Sequence, residues 1–378
     1  MSVSYIPQPT KLCLWGKAGG RCQYEGCNHP LYRDDVTQAE FNQAYIAHII
    51  ADKPSGPRGD PVLSEKLKND LGNLMLLCDA HHRLVDIADV EGHPVERLRQ
   101  MKEEHEKRME LLTSISPDRQ SHIVLYGARI GEHDAPLTFQ KAAAALIPDR
   151  SPASPRPIEL SLNNRSIGDA EEHYWEMESE HLRRQFRIEV KSRLRADDIR
   201  HLSVFGLAPI PLLIELGRLL SDIPAADVFQ LHREPPDWVW QKGPNSFEYA
   251  VRFEGDQKSQ TVALILGLSA DIVLDRVRPI VGDNAACWTI THGNPGNDFL
   301  ESREQLRQFR ETLRSVFNAI KKQHGEEAQL HLFPAVPVAC AIEIGRVWMP
   351  KADLPIEVYD QNRTTGGFSP ALRISKPD

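Results

Sequence analysis

The stretch Asn73 to Asp86, "NLMLLCDAHHRLVD", places one cysteine and two adjacent histidines behind an asparagine, inside an otherwise apolar run. Upstream, Cys22 and Cys27 flank "QYEG", a short loop that can present two thiolates to one point. Cys78 and His81 in "CDAH" offer a second close pair on a turn that enters a helix. Two such pairs make the four ligands of a tetrahedral structural zinc, where metal binding adds folding energy that a small apolar core lacks. Cys13, in "KLCLWG", stands apart from both pairs and reads as a core residue. A third histidine, His48 in "AYIAHIIADKPSGPRGD", is set for different chemistry. Beside His82 and a divalent cation it would act as the general base of a phosphodiesterase. His48 would take a proton from water, His82 would help hold the cation, and the cation would offset charge on phosphorus and the leaving oxygen. Asn73 would fix the loop so that the base points correctly.

These residues need elements to position them. Tyr45, Ile46, Ile49 and Ile50 around His48 predict a short strand that runs into a Pro, Gly and Ser loop. Leu74, Met75, Leu76 and Leu77 predict a second apolar segment leading to a helix that begins near Cys78. Strand and helix then deliver one histidine each, His48 and His82, to a common point.

In this order Cys22, Cys27, His48, Asn73, Cys78, His81 and His82 resemble the HNH endonucleases of the ββα-metal class, in their zinc-containing branch. "NLMLLCDAHH" is similar to their "NL..LC..CH" signature, with His81 in place of the last zinc cysteine. The resemblance covers about the first 90 residues and implies that His81 closes the structural zinc. His82, about 100° further round the helix, then faces the catalytic cation, Mg²⁺ or another divalent ion. Many members carry Asp, His or Glu immediately before the general base, and this chain has Ala47. A further oxygen ligand is then sought in Asp86, one helical turn from His82, or in Asp60 of the "GPRGD" loop. Arg58, Lys66 and Lys68 are the candidate contacts to DNA phosphates. Through Arg83 the segment is balanced, with nine basic and nine acidic residues, so an isolated copy is expected to hold DNA weakly.

From Pro94, "PVERLRQMKEEHEKRMELL" places Leu98, Met101, His105, Leu111 and Leu112 at mostly helical spacing among charges. The expectation is an amphipathic connector over 93–119, with Met101 and Met109 filling a core against a neighbouring domain. It separates a nuclease region at 1–92 from a second region at 120–378, which opens on the strand "IVLYG". "IPDRSPASPRP" is expected to be a surface loop within that region.

The second region carries an internal repeat. "FGLAPIPLLIELGR" from Phe205 and "FPAVPVACAIEIGR" from Phe333 share Phe, three residues, Pro, five residues, Glu, Leu or Ile, Gly, Arg. Each lies between apolar, strand-like runs, so units near 200–235 and 328–365 are expected to read strand, turn, helix, strand. Two such units imply two related α/β halves with mostly parallel sheets, and ligands of such sheets bind outside the carboxyl ends of strands near helix N-termini.

This region resembles the SAVED domain, a fused pair of CARF-like Rossmann halves, on "VFGLAPIPLLIELGRLLSD", "HREPPDWVWQ", "LFPAVPVACAIEIGR" and "PIEVYDQN". The fold class is α/β overall, with a ββα-metal zinc module in front. The combination resembles the HNH-SAVED effector nucleases of CBASS anti-phage systems. That resemblance implies a cyclic di- or trinucleotide activator made by a partner enzyme. For such a ligand the helix starts at Pro209 and Pro337 would face phosphates. Trp238, Trp240 and Tyr359 would stack on bases, and Arg233 and Arg363 would meet phosphates.

Composition agrees with a soluble, cytoplasmic protein without a membrane span, since no apolar run approaches the roughly 18 residues one needs. Six cysteines in 378 residues are too few for a disulfide framework, and 45 basic against 53 acidic residues exclude a strongly basic nucleic-acid binder. The reading is an endonuclease on duplex DNA, switched on when a cyclic oligonucleotide assembles the chain into a homo-oligomer that binds DNA by avidity. The alternatives are a restriction-type HNH nuclease whose second region senses modified DNA, and a non-catalytic zinc module that binds DNA.

Overall fold

The computed structural model describes residues 5–127, 137–161, 173–222, 224–234, 236–244, 246–361 and 367–376. The chain divides into two units, Met1–Ser116 and Pro117–Asp378.

In the first unit, helix α1 (Gln8–Ala18) precedes strand β1 (Tyr45–His48). Helix α2 (Leu63–Leu67), strand β2 (Leu74–Leu77), helix α3 (Asp79–Arg83) and helix α4 (Val95–Thr113) follow. β1 and β2 pair antiparallel, with Tyr45 opposite Leu77 and His48 opposite Leu74. All four residues of β2 are buried, which roots the hairpin in a core of Leu14, Leu31, Ile49, Val85, Leu98 and Met101. The sequence places Cys13 in that core, but it is exposed, because Leu14 is the α1 residue that turns inward. α4 is not a connector between domains. It packs on α1 within the first unit, where the buried His105 meets the Ala18 carbonyl at 2.9 Å through Nε2, and Glu106 pairs with Lys17 and Lys102. Leu111, on its expected apolar face, is exposed. The chain divides after that helix, between Ser116 and Pro117.

The second unit is built from strand β3 (Gln120–Gly127), helix α5 (Phe139–Leu146), strands β4 (Ser151–Pro152) and β5 (Ile158–Ser161) and helices α6 (Tyr174–Phe186) and α7 (Ser192–Arg195). Then come β6 (Leu202–Leu207), α8 (Ile210–Leu220), β7 (Ala226–Phe229), β8 (Ala250–Glu254), β9 (Thr261–Gly267), α9 (Arg278–Val281) and β10 (Ala286–Thr291). Last are α10 (Arg303–His324), β11 (Gln329–Ala335), α11 (Val338–Val347), β12 (Ile356–Gln361) and β13 (Phe368–Ile374). One sheet runs β4-β3-β6-β7, all parallel, with β5 also parallel to β3. β4 falls inside the Pro-rich stretch expected to be a loop. The other sheet runs β13-β12-β11-β9-β10-β8, parallel in its four middle strands and antiparallel at both edges. Continuous apolar runs such as "TVALILG" in β9 suit strands covered on both faces.

The repeat is real in three dimensions: β6-α8-β7 and β11-α11-β12 are its two copies. The conserved spacing of Glu, Gly and Arg in both copies has one structural cause. α8 and α11 meet backbone to backbone, and a Cβ at Gly217 would lie 1.8 Å from the Ile342 carbonyl oxygen, one at Gly345 1.9 Å from that of Ile214. The glutamates two residues before these glycines are fully buried and held by arginines: Glu215 by Arg218 and Arg183 at 2.6 Å, Glu343 by Arg346 at 2.8 Å and Arg310 at 3.2 Å. Burial pushes the Glu343 carboxyl up, while Arg346 and Arg310 pull it down. The shared motif is therefore the seam between the halves.

Gly345→Ala has no side chain to move aside, only backbone. We expect it to lower the stability of the second unit by about 2 kcal/mol or more, or to leave it insoluble. Calorimetric unfolding of the purified chain reads this, and an unchanged second-unit transition would show that the helices do not meet there.

Candidate functional site

Cys22, Cys27, Cys78 and His81 come together in the first unit, their ligand atoms all within 4.8 Å of one another. Cys27 is brought round by a tight turn, its N–H donating to the Tyr24 carbonyl. Cys78 stands at the N-terminus of α3 and His81 one turn on, so Cys78 Sγ is 3.1 Å and Cys22 Sγ 3.7 Å from His81 Nδ1. The Tyr24 ring stacks on His81 at 4.1 Å, and its hydroxyl reaches the buried His93 Nε2 at 3.0 Å. Tetrahedral zinc at its usual bond lengths holds ligand atoms about 3.3–3.8 Å apart, so this group needs little contraction to take the ion. Burial pushes the Cys22 and Cys27 thiols above their usual range and the His81 imidazole below its own. A buried thiol set of this kind takes its thiolate form only with a cation among it. Donor types and spacing fit zinc.

His82, the next residue, points elsewhere. Its ring stacks on Tyr45 at 4.7 Å, and its Nε2 lies 3.3 Å from Asp86 Oδ2. It lines a cleft of about 250 Å³ together with His48, Asp52, Lys53, Asp86 and Ile87. His48 ends β1, 5% exposed, with Nε2 2.9 Å from the Lys68 carbonyl. A carbonyl only accepts, so Nε2 carries the proton and Nδ1 is left as the basic nitrogen. Asn73 fastens the chain just beyond: its Oδ1 accepts from the Ile50 N–H at 2.9 Å and its Nδ2 donates to the Ile50 carbonyl at 2.8 Å. It fixes the loop, as the sequence suggests, and binds nothing in the cleft itself. Tyr45 and the cleft residues Asp52 and Lys53 carry no sequence signal that singles them out.

Three expected roles fail on geometry. Asp60 is no cation ligand: its Oδ1 accepts from the N–H groups of Leu63 and Val62, which hold its carboxyl below the usual range, and it does not line the cleft. Arg58 is no phosphate contact. Its side chain is 6% exposed and donates to the carbonyls of Ile49 and Val85 at 2.8 Å and to Asp86 Oδ1 at 2.5 Å. Lys68 pairs with Glu65 at 2.5 Å, and its contribution to the cleft is its carbonyl. Lys66 is exposed. Asp86 remains at the cleft, but both of its oxygens are engaged, one by Arg58 and one by His82.

In the second unit the expected base-stacking set does not assemble. Trp238 is fully buried, edge-on to Phe205 at 5.2 Å. Tyr359, 7% exposed, stacks on Phe333 at 4.7 Å and its hydroxyl meets His331 Nδ1 at 3.0 Å. Both pack cores, and neither has a face for a ligand. Trp240 is half-buried beside Phe229 and His232, and Arg233 is exposed. Pro209 and Pro337 do precede α8 and α11, but the first-turn N–H of Ala339 in α11 is taken by the Gln230 side chain at 3.2 Å. Arg363 lies outside the described residues. A cavity of about 820 Å³ opens instead where β9 and β10 end, at Gly267 and Thr291, walled by Arg252 of β8 and by Asp271 and Asp275. Among the described residues no helix is long and apolar enough to cross a membrane.

The two adjacent histidines make separable demands. We expect the wild-type chain to carry about one zinc ion, His81→Ala to lose it together with the first unit's cooperative unfolding, and His82→Ala to keep both. Metal analysis beside thermal unfolding reads the difference, and loss of zinc from the His82 variant alone would reverse the two roles.

Comparison with known proteins bears on the second unit. No curated protein matches the chain in sequence. Among solved structures, the chain is similar to a SAVED/CARF-domain containing receptor, Cap4, of Acinetobacter baumannii, recorded with the cyclic trinucleotide 2'3'3'-cAAA. Identity is 13% and the TM-score 0.44, over 74% of this chain and 56% of the receptor. It is also similar to the Moraxella osloensis Cap4 receptor at 12% identity and a TM-score of 0.39, over 84% of this chain and 70% of that one. The chain thus spans little more than half of the first receptor's length. Residues 182–374 match SAVED, the SMODS-associated and fused to various effectors sensor domain. That span runs from α6 to the last strand and takes in both copies of the repeat with Gly217 and Gly345 at their seam, and on it the chain belongs to the SAVED family.

Proposed function

We propose that the chain is a DNA endonuclease of the HNH type whose activity is switched on by a cyclic oligonucleotide bound in its SAVED unit, acting in anti-phage defence. The observation that supports it most is the pairing of His48 and His82 across one cleft, with His82 next to the zinc-type cluster in sequence and turned away from it in space. A purely structural zinc module has no need of a buried imidazole held by a carbonyl with its second nitrogen left basic.

In this reading His48 Nδ1 accepts the proton of the water that attacks phosphorus. The Lys68 carbonyl and Asn73 hold that nitrogen in place, so no reorganisation is needed as the proton moves. A divalent cation bound at His82 would offset charge on the phosphoryl oxygens and on the leaving oxygen. Arg58 and Asp86 keep the His82 ring directed. Phosphate contacts come from exposed cations such as Lys66 and not from Arg58.

Gating follows from charge. The chain carries a net charge of −8, and the first 83 residues are balanced, so a single copy is a poor DNA binder. A ligand that favours assembly would place two or more clefts on one duplex and raise affinity by avidity. It can do so only if it binds the assembled state more tightly than the resting one.

Purified chain with Mg²⁺ and plasmid DNA, screened against cyclic di- and trinucleotides, tests activity and gating together. We expect one ligand class to switch on cleavage of unmodified DNA. His48→Ala should lower that cleavage by at least about 10²-fold with zinc content intact. Cleavage that needs modified DNA and no cyclic nucleotide would favour a restriction-type enzyme instead. Light scattering over the same titration should show the mass rising with cleavage, and full activation at constant mass would refute the assembly step.

A further inference from the structure

A second chain can add to a sheet at its edge, because alternate residues of an edge strand turn their N–H and C=O groups away from the sheet. Other edges of the second unit are guarded. In β7 the Ala226 carbonyl accepts from Arg346 Nη1 at 3.1 Å. In β5 the Ser161 N–H donates to the Gln185 side chain at 3.1 Å. β13 carries Pro370, which has no N–H to give, opposite a break in register between Val358 and Tyr359 of β12. β4 is only two residues long.

β8 is the exception. It ends the six-stranded sheet, with β10 on one side. Four of its five residues, Ala250, Val251, Arg252 and Glu254, are exposed, Val251 to 43%. Its pairing with β10 runs without a bulge, it contains no proline, and among the described residues no side chain bonds its backbone.

The strand, "AVRFE", is complementary to itself in one register. When two copies pair antiparallel about Phe253, Arg252 of one chain lies opposite Glu254 of the other, and the twofold axis repeats the pair. Opposite residues share a face, so both ion pairs form. Centring the pair on Arg252 or on Glu254 sets like charges against each other. Glu254 already meets Arg278 at 2.8 Å through Oε1, but 63% of its side chain is exposed, which leaves room for a second guanidinium.

We propose that the β8 edge is a self-association surface, along which two copies of this chain join their six-stranded sheets antiparallel in the register set by Arg252 and Glu254. The surface would carry the assembly step of the proposed function, and its assignment rests on that reading. A pair of five-residue strands is far smaller than a stable dimer interface, so it closes only when a ligand favours the assembled state.

Light scattering of the full-length, zinc-loaded chain, alone and with the same cyclic di- and trinucleotides, is the test. Zinc content and the unfolding midpoint serve as controls for folding. Wild-type chain should gain mass with the ligand class that switches on cleavage. Arg252→Glu and Glu254→Arg should each raise the concentration needed for assembly at least about tenfold, because each turns both ion pairs into like-charge contacts. An equal mixture of the two variants should assemble again, since one strand then bears two glutamates and the other two arginines. Arg252 and Glu254 also wall the cavity of about 820 Å³, and mixing separates the two roles: a variant that had only lost a ligand there is not repaired by another with the same loss. Either variant assembling as wild type does, or a mixture that stays apart, would overturn the β8 edge and leave ligand-driven assembly standing. Wild-type chain of constant mass under every condition would overturn the assembly step and this inference with it.

Discussion

A helix of five residues cannot set its own direction, yet α3 must aim two neighbouring histidines at two different centres. The Cys22, Cys27, Cys78 and His81 cluster resolves this. With His81 drawn against the thiols and stacked on Tyr24, the next side chain has one place to go, roughly 100° round the helix. That place is the face of Tyr45, where His82 rests on β1, the strand that ends in His48. The rest of the cleft is then closed from the loop side by two side chains, Asn73 and Arg58, which between them hold Ile49, Ile50, Val85 and Asp86. Removing Arg58 would take the cation from the half-buried Asp86 and a donor from the carbonyls of Ile49 and Val85.

The sensor unit depends on a constraint of another kind. Two helices brought into backbone contact have few ways to slide, since close-packed surfaces have discrete arrangements and do not deform continuously. The Gly217 and Gly345 contact, flanked by buried glutamate and arginine pairs on both sides, makes the two α/β halves one body. α11 adds to this by burying nearly every residue of its length, and its Arg346 reaches the carbonyls of Ser221 and Ala226 in the other half.

Much of this was legible in the sequence because it is carried by order and spacing. The cysteine pairs, the strand with His48, the apolar run before Cys78 and the two copies of the repeat all survive in the structure as they read. The misreadings share a cause: residue type does not reveal which side of an element faces the core. Trp238 and Tyr359 are large aromatics, equally suited to a ligand or to a core, and packing against Phe205 and Phe333 decides for the core. Cys13 and Leu14 are adjacent on α1, and only the fold says which turns inward. Arg58 reads as a surface cation in a Gly and Pro loop, but its backbone takes a positive φ of 56° and its guanidinium turns inward onto carbonyls. The α4 pattern was legible as amphipathic helix, while the identity of its partner, α1 of the same unit, was not.

The central claim is that the cleft between His48 and His82 is where DNA is cut. Crystals of the protein with Mn²⁺ and a duplex carrying a cleavage-resistant phosphorothioate, measured at the anomalous edges of zinc and manganese, test it most directly. The account predicts zinc within the Cys22, Cys27, Cys78 and His81 cluster, manganese in the cleft against His82, and a backbone phosphate between that ion and His48 Nδ1. Manganese and DNA bound elsewhere on the chain, with the cleft filled only by water, would contradict it.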